Sequence, residues 1–279
     1  MLRLLKSGFY TSVQDRGRFG YRDKGVPVSG VMDNLAIEKA NGLLENDEDD
    51  AVLEITMTGP TVEFGEDTYI VLSGAPMSVT LNNQPIINYK VYKIAVGDIL
   101  SYGRLENGFR SYLAVKSGFK TKKILNSRSY SNAITTITYL KDGSEIPYES
   151  CSHFQPKISE LKIDSYFDET VIEVAKGPEF EILDDDQLDQ IFGLDFSVAK
   201  ENNRMAYQLN EKIKGHEKSM LTSATLPGTI QFTPAGRLII LMKDGQTTGG
   251  YPRILQLTDR AISILAQKKS GDILSFKLL

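Results

Sequence analysis

The stretch "MKDGQTTGGYPRILQLTD", residues 242–259, concentrates groups able to hydrogen-bond a small polar ligand. Gln246 carries an amide, Thr247 and Thr248 carry hydroxyls, and Tyr251 carries a ring with a polar tip. Gly249 and Gly250 let a backbone approach closely, and Pro252 limits the exit. A hairpin turn needs about two to five residues and little of this chemistry. The surplus points to recognition. A second dense block, "SVQDRGRFGYRDKGVPVSGVMDNLAIEKAN", alternates Arg16, Arg18 and Arg22 with Gly17, Gly20 and Gly25. Guanidinium groups and backbone amides there suit an anion, the alternative being solvated arginines on a glycine-rich loop. Neither block contains a Walker P-loop or a G-x-G-x-x-G after a strand, so no phosphate is held in those ways.

Other candidates are weaker. "LMKD" (241–244) resembles a biotin-attachment tetrapeptide only faintly, because Asp244 follows Lys243 where an apolar residue belongs. No covalent biotin is expected, and Lys243 reads as an exposed lysine at a strand end. His153 and His216 lie in polar segments with no nucleophile elbow nearby and read as surface residues. Asp259 opens the helix-like "DRAISILAQ", where its structural role is that of an N-cap. The single cysteine, Cys151, excludes an internal disulfide, and with two histidines it makes too small a set for zinc.

The elements that must position these groups are mostly short strands. "DTYIVLSG" (67–74), "SVTLN" (78–82), "RSYLAV" (110–115), "TVIEVAKG" (170–177) and "GTIQFT" (228–233) are β-branched or aromatic and bounded by Gly, Pro, Asn or Asp. Crossover helices for a parallel sheet are missing, which predicts a barrel or sandwich. The spacing predicts helices over 32–46, N-capped by Asp33, and over 183–193, with an acidic first turn. "TGPTVEF" (58–64) is echoed by "KGPEFEI" (176–182), and "VGDILSY" (96–102) by "SGDILSF" (270–276). Two related β-rich halves follow, residues 1–150 and 151–279, with 143–164 as the linker. The 279 residues carry a net charge of −4 with mixed signs, which argues against a nucleic-acid or membrane face. No apolar run reaches the roughly 20 residues of a membrane span. The start is charged at Arg3 and Lys6 and lacks a signal-peptide core, so a cytoplasmic, soluble protein is expected.

Taken in order, "TSVQDRGRFGY", "GVPVSGVMDNLAIEKAN", "TGPTVEF", "LSGAP", "YLAV", "SRS", "KGPEF", "NRMAYQL" and "LIILMKDGQTTGGYPRI" resemble one family over nearly the whole chain. It is the family of the 5-oxoprolinase C subunit, also known as allophanate hydrolase subunit 2, the biotin-dependent carboxyltransferase family and the kinase-inhibitor antagonist. The resemblance implies a mainly β fold of two cyclophilin-like β-barrel domains. It implies a smaller cyclophilin-like partner of the B-subunit type, and a larger barrel-type partner, the A subunit. The reaction implied is opening of 5-oxo-L-proline to L-glutamate, driven by ATP in the assembled complex. The alternatives are a carboxyltransferase component acting on urea or a similar amide, and a non-catalytic antagonist of a sensor-kinase inhibitor. On this resemblance Asp259, Gln246 and Tyr251 are the catalytic candidates. Arg16, Arg18, Asp33, Asn41, Arg204, Thr247, Thr248, Gly249 and Gly250 would bind substrate or anion. The sequence departs from the family at Ser117, Asn126 and Tyr130, at Ala224 where an acid is usual, and through 131–147, which lacks the expected glycines.

Overall fold

The computed structural model describes residues 1–279 and divides into two compact units. The first comprises residues 1–18 and 29–167; the second comprises 19–28 and 168–279. The division expected after residue 150 therefore falls later, between Phe167 and Asp168, and a stretch of the arginine-glycine block belongs to the second unit. Both units are mainly β. Three α-helices interrupt the strands: α1 (Asn34–Leu43), α2 (Asp185–Gly193) and α3 (Asp259–Ala266).

In the first unit, a six-stranded antiparallel sheet is joined by a five-stranded one, ordered Tyr10–Gln14, Val52–Thr56, Arg110–Val115, Thr68–Gly74, Tyr92–Ile94. The five-stranded sheet explains why its strands read as continuous apolar runs. Leu53, Ile55, Ile70, Leu72, Leu113 and Val115 point into one core. The alternate residues Val52, Val71, Tyr112 and Ala114 pack beneath α1, against Ala36, Ile37 and Ala40. Period-two alternation thus buries both faces. Asp33 caps α1 as expected, accepting a hydrogen bond from the Ala36 N–H at 3.1 Å.

The expected linker is instead a strap built into this unit. Glu145–Ile146 pairs with Leu2 and Arg3, Cys151 N–H donates to Asp67 O, and Phe154, Leu161 and Ile163 pack on the core beneath α1. Its weak periodicity reflects a chain whose apolar residues dock one at a time. Ser117 (φ 63°) and Asn126 (φ 62°), two of the family departures, hold left-handed backbone without being glycine. Each such residue costs on the order of 1 kcal/mol, less for asparagine.

The arginine-glycine block closes on itself before its middle leaves for the second unit. Asp15 organises this neck. Its carboxylate accepts from Ser127 Oγ at 2.7 Å, Ser129 Oγ at 2.6 Å, Arg128 N at 2.6 Å and Gly17 N at 2.9 Å, which ties "QDRG" to "SRS". Val31 N–H returns to Asp15 O at 2.9 Å. Gly30, at φ 81°, sits so close that a Cβ there would lie 2.7 Å from the Arg16 carbonyl.

The second unit is a seven-stranded sheet running Phe196–Ser197, Ile273–Leu278, Val171–Lys176, Arg253–Leu257, Thr229–Phe232, Arg237–Leu241, Ala206–Lys212. One pair, Val171–Lys176 with Ile273–Leu278, is parallel. A bridge from Val198 to Leu209 brings the first and last strands together and nearly closes the barrel. The second echo is structural. Gly97 and Gly271 both take φ near 85–89°, and Asp98 and Asp272 each accept from the N–H three residues back before entering a strand. The first echo is not. "TVEF" enters the strand Thr61–Phe64, whereas "KGPEFEI" leaves a strand for the 3₁₀ turn Phe180–Ile182.

Gly30→Ala should lower the unfolding free energy by at least about 2 kcal/mol, since the methyl meets backbone and the φ is unfavourable. Denaturant midpoints at constant m-value measure it; an unchanged midpoint would show that the neck tolerates opening.

Candidate functional site

The loop after Arg237–Leu241 is anchored at its start by a charged clamp. Arg204 Nε donates to Asp244 Oδ2 at 2.8 Å, and the Asp244 N–H returns to Arg204 O at 2.8 Å. Both side chains are largely buried. Lys243 is buried too, and is not the exposed strand-end lysine expected, because Met242 N–H bonds Met205 O and folds the chain under. Beyond the clamp, Thr225 Oγ1 donates to Gln246 O at 2.5 Å and Thr225 N to Thr247 O at 3.0 Å. Ser223–Ala224 then pairs with Thr248–Gly249 as a short antiparallel ribbon. Gly249 is required by packing: a Cβ would fall 2.2 Å from Gln231 Nε2 and 2.7 Å from Gln246 Nε2. Gly250 has open space around it and lies exposed.

The ribbon and loop form one wall of a cavity of about 630 Å³ within the second unit. That is the size range of small-molecule sites, roughly 300–1,000 Å³. Thr225, Thr247 and Thr248 line it on the loop side, and Arg253 and Arg22 line it with guanidinium groups. Arg22 arrives on the 3₁₀ turn Arg22–Lys24, carried by the excursion of residues 19–28. The two arginines are pinned to consecutive carbonyls: Arg253 Nη1 donates to Ala224 O and Arg22 Nη2 to Thr225 O. Arg253 also forks onto Glu179, with Nε at 2.9 Å and Nη2 at 2.7 Å from its carboxylate, and its own N–H bonds Glu179 at 2.9 Å. These hydrogen bonds hold the Glu179 carboxyl below the ordinary glutamate range, against a smaller opposing effect of partial burial. Burial lowers the pKa of Arg22.

The other predicted residues are scattered. Arg18 is fully buried in the first unit and donates Nε to Ile124 O and Nη2 to Ser129 O, so it stabilises the neck from within. Arg16 pairs with Glu48 at the surface of that unit. Asp33 is buried, capping α1 and accepting from Tyr166 Oη, and Asn41 Nδ2 donates to Asp50 O at 3.1 Å. Gln246 and Tyr251 are exposed on the loop but do not line the cavity. Asp259 is exposed at the first position of α3, and the N-cap is Thr258, whose side chain accepts from Ala261 N at 3.1 Å. His153 is exposed, while His216 packs on Phe232 with ring centroids 4.6 Å apart. Sequence reasoning missed Thr225, Glu179 and Arg253. It noted Arg22 without separating it from Arg16 and Arg18, and only the excursion distinguishes them.

Two consequences are measurable. Glu179→Gln should cost on the order of 1 kcal/mol at neutral pH once solvent screening is allowed for. Because the folded pKa of Glu179 is depressed, its stabilisation is present above the unfolded value, about 4.3, and is lost as pH falls through the folded one. The stability gap between wild type and variant should therefore narrow in acid; a gap constant from pH 7 to pH 3 would exclude this linkage. At α3, Thr258→Ala should cost about 1 kcal/mol as a lost cap, whereas Asp259→Asn should cost only the few tenths of a helix-dipole contact. Thermal melts of both variants decide between the two capping assignments.

Residues 24–278 match the family described as carboxyltransferase domain, subdomain A and B. The chain is 32% identical over 282 residues to the 5-oxoprolinase C subunit of Escherichia coli strain K12, covering 99% of this chain and 90% of that protein. The crystal structure of TTHA0988 superposes with a TM-score of 0.90 at 24% identity, which shows the fold; this chain covers 55% of it. The Kluyveromyces lactis urea amidolyase superposes with a TM-score of 0.90 at 28% identity, and this chain spans only 18% of that much longer protein. With nearly its full length matched, the chain belongs to the carboxyltransferase domain, subdomain A and B, family.

Proposed function

We propose that this chain is one subunit of an ATP-dependent 5-oxoprolinase that opens 5-oxo-L-proline to L-glutamate. The observation that carries the reading is the near end-to-end similarity to a protein named as a component of that enzyme, which this chain covers to 90%. A lactam offers one N–H donor and one carbonyl acceptor. The cavity presents hydroxyls from Thr247 and Thr248 and guanidinium donors in reach of such a unit. Gln246 would act at the rim of the cavity and Tyr251 as a covering ring; Asp259, beyond the far end of the strand Arg253–Leu257, lies too far from the cavity to share its substrate. Arg204 would act through Asp244 on the loop and not by touching substrate.

Ring opening of an unstrained lactam needs an energy source, and the chain has no Walker P-loop. ATP therefore belongs to the assembled complex, with a smaller cyclophilin-like partner of the B type and a barrel-type partner of the A type. A shared cleft would exclude water from a reactive intermediate. No helix is long and apolar enough to cross a membrane, and a cytoplasmic location is part of the proposal. The similarity to urea amidolyase favours a second reading, a carboxyltransferase component acting on urea or a related amide. That reading calls for a separate biotin carboxylase and biotin carrier. Buried Lys243 is poorly placed for attachment of biotin to this chain.

Copurification followed by assay of each polypeptide alone and together tests the proposal. ATP-dependent conversion of 5-oxo-L-proline to glutamate is expected only from the mixture, through an interface of about 2,000 Å² or more if the assembly is permanent. Gln246→Ala should cut that turnover by roughly 100-fold. Turnover by the single chain, unchanged on adding partners, would sink the multisubunit reading. Carboxylation of urea by the chain with carboxybiotin would transfer it to the second.

A further inference from the structure

We infer that the cavity of the second unit contains a subsite for a carboxylate group, with Arg22 as its cation and the Thr247 and Thr248 hydroxyls beside it. The inference deepens the proposed function and rests on it only for which carboxylate is bound. Arg22 is half-buried, lines the cavity, and spends one guanidinium nitrogen on the Thr225 carbonyl. It forms no ion pair. The other arginines of the unit are all provided for: Arg204 by Asp244, Arg253 by Glu179, Arg260 by Glu169 and Arg237 by the amide oxygen of Gln208. A guanidinium held partly out of water without a counter-charge is costly, and a planar carboxylate is the partner whose geometry fits its remaining donors.

The surroundings point the same way. Neither Thr247 nor Thr248 commits its hydroxyl to a side-chain hydrogen bond within the protein, and both line the cavity. Arg253 is already balanced by Glu179, so it shapes the wall without competing for the anion. The one carboxylate among the lining residues is Asp23, exposed on the same turn as Arg22 and forming no ion pair with it, where solvent screens its charge. The residue between the two arginines is Ala224, whose carbonyl holds Arg253 while its side chain adds no charge. Neutral urea returns no charge to Arg22. The subsite therefore selects a small amide that also bears a carboxylate, and 5-oxo-L-proline has that composition.

Calorimetric titration of the full-length chain tests this with 5-oxo-L-proline, L-glutamate, acetate, 2-pyrrolidinone, urea and inorganic phosphate. Arg22→Gln and Arg22→Lys are compared with wild type, and circular dichroism checks that both fold. The second variant keeps the charge and loses the planar fork. The expected result is that 5-oxo-L-proline binds roughly tenfold or more tightly than 2-pyrrolidinone, the same lactam without the carboxylate, that Arg22→Gln removes this advantage, and that Arg22→Lys keeps only part of it. Equal binding of 5-oxo-L-proline to all three proteins overturns the inference, as does binding of no carboxylate at all. Phosphate binding tighter than every carboxylate also overturns it, in favour of a phosphate site. If L-glutamate or acetate binds in an Arg22-dependent way and 5-oxo-L-proline does not, the subsite stands and the lactam reading falls.

Discussion

The Arg253 guanidinium is the hub on which the candidate site depends. It forks onto Glu179, at the turn that follows the strand Val171–Lys176, and reaches the carbonyl of Ala224 in the ribbon beside the loop. A rigid, planar, permanently charged group can hold three separate chain segments at fixed angles, which a flexible ammonium cannot. Its own strand, Arg253–Leu257, lies in the middle of the barrel sheet between Val171–Lys176 and Thr229–Phe232. The hub is therefore fixed to the part of the unit that is hardest to move, and the loop inherits that order.

The loop itself is held by a division of labour among residues that look alike in sequence. Asp244 and Arg204 set where it begins, Thr225 fixes the backbone at Gln246 and Thr247, and Gly249 admits the amides of Gln231 and Gln246 against the chain. Thr247 and Thr248 are left to face the cavity. Half of the polar material in this connection thus serves its own conformation. The remainder is what a ligand would meet.

A similar separation runs through the arginine-glycine block. Arg18 is consumed by carbonyls in the interior of the first unit, Arg16 meets Glu48 in solvent, and Arg22 crosses with residues 19–28 to the second unit. The neck at Asp15 and Gly30 makes this possible by bringing the two legs of the excursion together. The Asp15 carboxylate accepts four hydrogen bonds there and is wholly occupied with structure.

Sequence alone carried the mainly β character, because β-branched runs such as "TYIVLSG" and "RSYLAV" can be buried on both faces of a sheet only as strands. It carried α1 with its Asp33 cap, and the family through motifs spread along the whole chain. It also marked the 242–259 loop as unusual. It did not separate Arg22 from its neighbours, name Glu179 as the partner of Arg253, or show that Thr258 and not Asp259 caps α3. The cap is a local choice between two neighbouring residues, but the other two facts are long-range. Glu179 and Arg253 stand far apart in the chain and meet only because the strands that precede and contain them pair in one sheet, Lys176 opposite Leu255. Local pattern reports the propensity of a segment; which donor meets which acceptor is decided when the barrel closes and burial makes every unpaired polar group costly.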